Sequence, residues 1–223
     1  MTRRVAILIS GRGSNMASLI RSAEELGSAA EIALVLSNRP DAAGLHAARQ
    51  LGIPTHVVDH DGYGTRDAFD AAMDAALRQH RIDLICLAGF MRILTDRFVK
   101  GWAGRMINIH PSLLPLYRGT KTHRRALEDG VLVHGCTVHF VVPELDAGPI
   151  IAQAAVPVLP TDTEESLSAR VLEQEHLIYP LAMQRVCAGS VRLDGGKTVF
   201  AATWSATAAL QSPGVESPAL PVC

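Results

Sequence analysis

The chain has 223 residues, 48% hydrophobic and 19% charged, which supplies a core for one good-sized α/β domain and argues against global disorder. A formal net charge of −1 excludes a dedicated nucleic-acid binder, which needs a basic stripe to neutralise phosphates; the nearest run, residues 121–125, is short. No segment reaches the ~18 apolar residues of a membrane span, and four scattered cysteines (Cys86, Cys136, Cys187, Cys223) fit reduced thiols in a cytoplasmic protein.

Strand and helix patterns alternate through the first half. Residues 5–10 read as a buried strand, because this apolar run meets Ser10-Gly11-Arg12-Gly13 too soon for a signal peptide. Residues 15–26 place Met16, Leu19, Ile20 and Ala23 on one side of a helix. A strand over 32–37, a helix over 42–51 closing at Gly52, a short strand over 55–58 and a helix over 66–81 follow. Residues 83–88 and 105–109 give two more strands. Unbroken apolar strands separated by helices predict a mostly parallel, Rossmann-like sheet covered on both faces.

The second half changes character. A short helix over 123–129 precedes an alternating strand at 136–142, and residues 150–156 read as its antiparallel partner. Thr161-Asp162-Thr163-Glu164 offers a capping box for a long helix running to about residue 188. Residues 191–200 fit a hairpin around Gly195-Gly196. The expected organisation is a single domain over 1–204 and a flexible tail over 205–223.

Ser10-Gly11-Arg12-Gly13-Ser14-Asn15 joins the first strand to the first helix. Its glycines permit a tight turn, and free N–H groups at the helix start attract an anion. Met16 stands where a dinucleotide fingerprint needs its third glycine, and the second strand ends in Ser37-Asn38 without a ribose-binding acid. A P-loop is excluded too, which leaves a phosphate monoester or a plain glycine-bearing strand-to-helix turn.

Asn108-Ile109-His110-Pro111 carries the chemistry. Residues two apart on a strand share a face, so the Asn108 amide and the His110 imidazole project together where Pro111 ends the strand. Such a pair can polarise a carbonyl and move a proton, as acyl-type transfer requires. Asp146, in Asp146-Ala147-Gly148-Pro149, is a carboxylate able to favour the charged imidazole. Glu175 falls on the apolar face of the long helix between Val171 and Ile178, so it needs a partner: a substrate ammonium or an internal arginine. His123 and His139 are candidates to line the same cleft. No metal-ligand motif such as H-E-x-x-H occurs, and Cys86, inside an apolar strand, reads as inert.

Taken in order, Ser10 through Asn15, Ala88-Gly89-Phe90-Met91-Arg92-Ile93-Leu94, Asn108 through Pro115, His134 through Val141 and Asp146-x-Gly148-Pro149 resemble the phosphoribosylglycinamide formyltransferases, a purine-pathway family. The resemblance covers about residues 5–199. It implies transfer of a formyl group from 10-formyltetrahydrofolate, a co-substrate, to the amine of 5-phosphoribosylglycinamide, with no metal. It also implies a catalytic trio of Asn108, His110 and Asp146. Gly13, Ser14 and Asn15 would hold the nucleotide substrate, and Glu175 its amine. The folate pocket would comprise Arg66, Met91, Arg92, Ile93 and Leu94, with Asn108, Val141, Val142, Pro143, Glu144 and Asp146. A cis bond at Leu114–Pro115 is implied as well. The partners expected are small molecules only, with monomer and homodimer both open. Leu172 and Leu116 depart from the family, which often has polar or basic residues there. Formyltetrahydrofolate hydrolase and methionyl-tRNA formyltransferase are rivals. The first needs a domain ahead of a strand that begins at Val5, and the second a basic C-terminal domain. A non-catalytic nucleotide-binding module is the third.

Overall fold

A computed structural model describes residues 2–201 and 212. Most of the expected tail over 205–223 lies outside these residues. A seven-stranded sheet forms the centre. Four of its connections are parallel and join β1 (Arg3–Ile9), β2 (Ala30–Ser37), β3 (Thr55–Val57), β4 (Leu84–Leu87) and β5 (Met106–His110). β6 (Val133–Phe140) and β7 (Ile150–Pro157) extend the sheet antiparallel, in the order β3-β2-β1-β4-β5-β6-β7. The mostly parallel Rossmann-like fold expected of the sequence is the fold observed.

Alternation along β1 explains why both faces are covered. Val5, Ile7 and Ile9 point into one cluster and Ala6 and Leu8 into the other, all fully buried. The first cluster is closed by α1 (Ser14–Glu24), α2 (Ala43–Gln50) and α6 (Glu164–Cys187), through Leu19, Leu45, Val171 and Met183. The second lies under α3 (Arg66–Gln79) and α4 (Asp96–Gly101), through Phe69, Met73, Phe98 and Val99. Buried Tyr179 of α6 donates its hydroxyl towards Leu87 O and Ile107 O, at 3.0 and 3.2 Å, and so ties that helix to the ends of β4 and β5. A short α5 (Thr122–Glu128) packs on α6. The hairpin β8 (Val191–Asp194) and β9 (Lys197–Phe200) turns on Gly195 and Gly196, both at positive φ.

Three local readings change. Six-residue α4 has no counterpart in the sequence reading. The cap of α6 is Thr163 paired with Ser166, two residues beyond the Thr161 box. β6 begins at Val133 and ends at Phe140, so Val141 and Val142 lie in a loop. No helix among the described residues is long and apolar enough to cross a membrane.

Strand order reverses between β1 and β4. In open α/β sheets the crevice beyond the strand ends at such a point receives ligands. Here it is bounded by the glycine loop after β1 and the Gly89–Leu94 segment after β4.

Candidate active site

β5 delivers Asn108 and His110 to this crevice, as their spacing predicts. Past Pro111 the chain turns through a cis Leu114–Pro115 bond. Side chains hold that turn: Leu114 N–H donates to Thr137 Oγ1 at 3.1 Å, Thr137 donates to Ser112 O at 2.7 Å, and Gln153 donates to Leu114 O at 3.0 Å.

Asp146 reaches the same place from the loop between β6 and β7. Its φ is +50°, a left-handed conformation uncommon for a residue with a Cβ. Its Oδ2 lies 3.4 Å from His110 Nδ1 and accepts from Gly119 N–H at 2.8 Å. The other imidazole nitrogen of His110, Nε2, donates to Tyr117 O at 2.9 Å. A carbonyl only accepts, so Nε2 carries the hydrogen. That leaves Nδ1 turned towards the Asp146 carboxylate.

His139 completes the group. Antiparallel pairing sets it opposite Asn108, and its Nδ1–H donates to Phe140 O at 2.9 Å. Burial lowers its pKa, against the raising effect of Phe140 O and Asp146, so the ring is neutral and Nε2 accepts. The Asn108 amide donates to that nitrogen at 3.2 Å. This fixes the amide orientation and leaves its second N–H free. The sequence offered His139 only as a cleft residue, because its role depends on strand register.

Gly148 supports this arrangement sterically. A Cβ there would collide with Phe140 O and lie 3.2 Å from His139 Nδ1, so no other residue fits without moving the backbone.

Packing of α1 on α6 joins Asn15 to Glu175. The Asn15 amide donates to Glu175 Oε2 at 2.6 Å, both residues being buried. The sequence offered a substrate ammonium or an internal arginine as the partner of this acid; within the protein it meets an amide and no arginine among the described residues. Burial raises the Glu175 pKa while the Asn15 bond opposes the rise. Asn15 Oδ1 is buried without a protein partner. Gly13, at φ +77°, caps α1, whose first turn has no acidic residue and no side-chain cap, so its N–H groups stay open to an anion.

A cavity of about 600 Å³ connects these pieces. Its polar lining includes Asn15, Glu175, Asn108, His110 and Asp146, with His123 and His139. Its apolar side comprises Met91, Ile93, Leu94, Val141, Val142 and Pro143, with Arg92 beside them. Gly13, Ser14, Arg66 and Glu144 do not line it. Arg66 is exposed at the start of α3, Glu144 is exposed and pairs with Arg118 at 2.6 Å, and Leu145 lines the cavity beside it.

The family model for Formyl transferase matches residues 3–183. The chain belongs to the formyl transferase family. Within it, the phosphoribosylglycinamide formyltransferase of Escherichia coli is 46% identical over 189 residues, 85% of this chain and 89% of that one. The trifunctional purine biosynthetic protein adenosine-3 of Gallus gallus is 53% identical over 87% of this chain, which spans only 19% of that relative. Among solved formyl transferases, the phosphoribosylglycinamide formyltransferase of Coxiella burnetii superposes with a TM-score of 0.86 at 43% identity, covering 90% of this chain and 94% of that one. The resemblance carried by the sequence motifs is confirmed.

Proposed function

We infer that this chain transfers the formyl group of 10-formyltetrahydrofolate to the amine of 5-phosphoribosylglycinamide, giving the N-formyl product and tetrahydrofolate in de novo purine biosynthesis. One observation carries the reading. Asn108 and His110 at the end of β5 meet Asp146, from a separate loop, in a cavity that runs from Asn15 at the start of α1 to an apolar wall. The names of the full-length bacterial relatives agree with it.

The amine nitrogen attacks the formyl carbon, and the carbonyl oxygen gains negative charge as that C–N bond forms. The free N–H of Asn108 donates to this oxygen; losing one such donor costs about 3 kcal/mol, or roughly a hundredfold in rate. His110 takes the amine proton at Nδ1, and Asp146 holds the resulting imidazolium. The proton then passes to the folate nitrogen as its bond to the formyl carbon breaks, which balances charge and atoms.

Substrate placement follows the same geometry. The open N-terminus of α1, with Gly13, Ser14 and Asn15, suits the phosphate end, and buried Glu175 suits the amine. Met91, Ile93, Leu94, Val141 and Val142 offer apolar surface to a flat bicyclic ring. Arg92 stands at the same wall, whereas Arg66 and Glu144 are exposed and outside the cavity lining. Three buried, unpaired cysteines fit a reducing, cytoplasmic setting.

Incubation with both substrates tests the reading, with release of tetrahydrofolate as the signal. Release that depends on the glycinamide substrate supports it. Release without that substrate would make the protein a hydrolase, and none at all would leave a binding module.

A further inference from the structure

The segment from Phe90 to Thr95 joins β4 to α4 and supplies much of the apolar wall. Met91 and Ile93 are 70% and 64% exposed, so burial does little to hold them. Among the described residues, the backbone N–H groups of this segment make hydrogen bonds only at its two ends, and a side chain from elsewhere accepts each one.

At the first end, Ser10 Oγ accepts from Met91 N–H at 2.8 Å. Its own hydrogen goes to Oδ1 of buried Asn38, so the hydroxyl is committed as an acceptor towards the segment. The Ser10 N–H also donates to Gly89 O at 3.1 Å. At the second end, buried Asp70 Oδ2 accepts from the N–H and the hydroxyl of Thr95, both at 2.7 Å. Between them, the Arg92 guanidinium lies 5.3 Å from the ring centre of Phe69, next to Asp70 on α3. Phe90 and Leu94 pack against the second core cluster, and the two end contacts fix the backbone of the exposed stretch between them.

We propose that Ser10 and Asp70 are positioning residues for the formyl-donor half of the cavity: they pin both ends of the Met91–Leu94 wall and set donor affinity, without acting on the transfer step. This rests on the folate reading above. A purely structural role would instead lower stability and disturb both substrates alike.

The experiment uses the whole chain and compares wild type with Ser10→Ala and Asp70→Ala. It reads kcat, KM for each substrate, melting temperature, and the calorimetric Kd of a folate analogue that carries no transferable formyl group. Loss of one neutral hydrogen bond weakens the donor about three- to tenfold, and loss of the carboxylate bonds weakens it more. The glycinamide KM and kcat stay within about twofold of wild type. Ser10→Thr and Asp70→Asn keep an oxygen for the same N–H and recover most of the affinity. An equal rise in both KM values, a fall in kcat at unchanged donor KM, or a wild-type analogue Kd overturns the proposal. If Asp70→Ala does not fold, Ser10→Ala and Ser10→Thr decide it. If the protein binds the analogue with the expected loss in Ser10→Ala, yet wild type transfers nothing, the assigned reaction fails and this proposal stands.

Discussion

The Asn108 amide lies 3.2 Å from Nε2 of His139, and the direction of that hydrogen bond is set by the Phe140 carbonyl on the far side of the ring. Because that carbonyl claims Nδ1–H, the neutral ring can only accept from Asn108. His139→Ala should therefore lower kcat by about tenfold or more, since the freed amide can turn its oxygen rather than its N–H towards the reacting carbonyl and the donor is then lost. In an Asn108→Ala background the same change should cost little more. Additive losses in the double-mutant cycle would show that His139 acts on something else.

Removing the proton carrier or its counter-charge should be costlier still. His110→Ala and Asp146→Asn are each expected to cut turnover by roughly two or more orders of magnitude. Circular dichroism and melting should show the fold intact. Near-normal kcat in either variant would remove that residue from the mechanism.

Glu175 and Asn15 meet at the end of the cavity proposed for the nucleotide substrate. Glu175→Gln keeps a partner for Asn15 but loses the charge that an ammonium seeks. A charged hydrogen bond of this kind is worth about ten- to a hundredfold in affinity. The loss should fall on the KM of the glycinamide substrate and spare that of the folate. Equal losses would contradict the assignment.

Acid should destabilise this protein before its carboxylates titrate. Burial and neighbouring His123 lower His134 from 6.5 to about 4, and burial also lowers His123, His139 and His176. Between about 4 and 6.5 the unfolded chain thus binds more protons than the folded one. Stability from these rings is complete above that window and is lost as pH falls through it. Glu175, whose pKa is raised, works in the opposite sense. Melting temperature should fall between about pH 7 and pH 4.5, and His134→Phe should flatten the slope. A flat wild-type profile would refute this account.

The parallel half of the sheet was legible because β1, β2 and β4 are unbroken apolar runs, a pattern that surface strands do not show. Asn108 and His110 were legible for a related reason: a period of two and a proline stop are local facts. α4 was not, since six residues are too few to display a helical period and only Thr95 marks its start. The cap of α6 was misplaced because Thr161 has Glu164 three residues on, the usual box, whereas Thr163 closes its box with Ser166 instead. His139 and the Asn15–Glu175 bond were beyond reach for a deeper reason: each depends on which element lies beside which, and residues 31 and 160 positions apart carry no local trace of one another.

The hydrogen that Gly148 has in place of a side chain ties two parts of the machinery to one carbonyl. A methyl group there would push on the oxygen that anchors His139, and the disturbance would pass through the ring to the Asn108 amide. The loop that carries the carboxylate thus lies tight against the strand whose histidine orients the amide. Changes meant to retune the acid side of the cleft will be felt on its donor side as well.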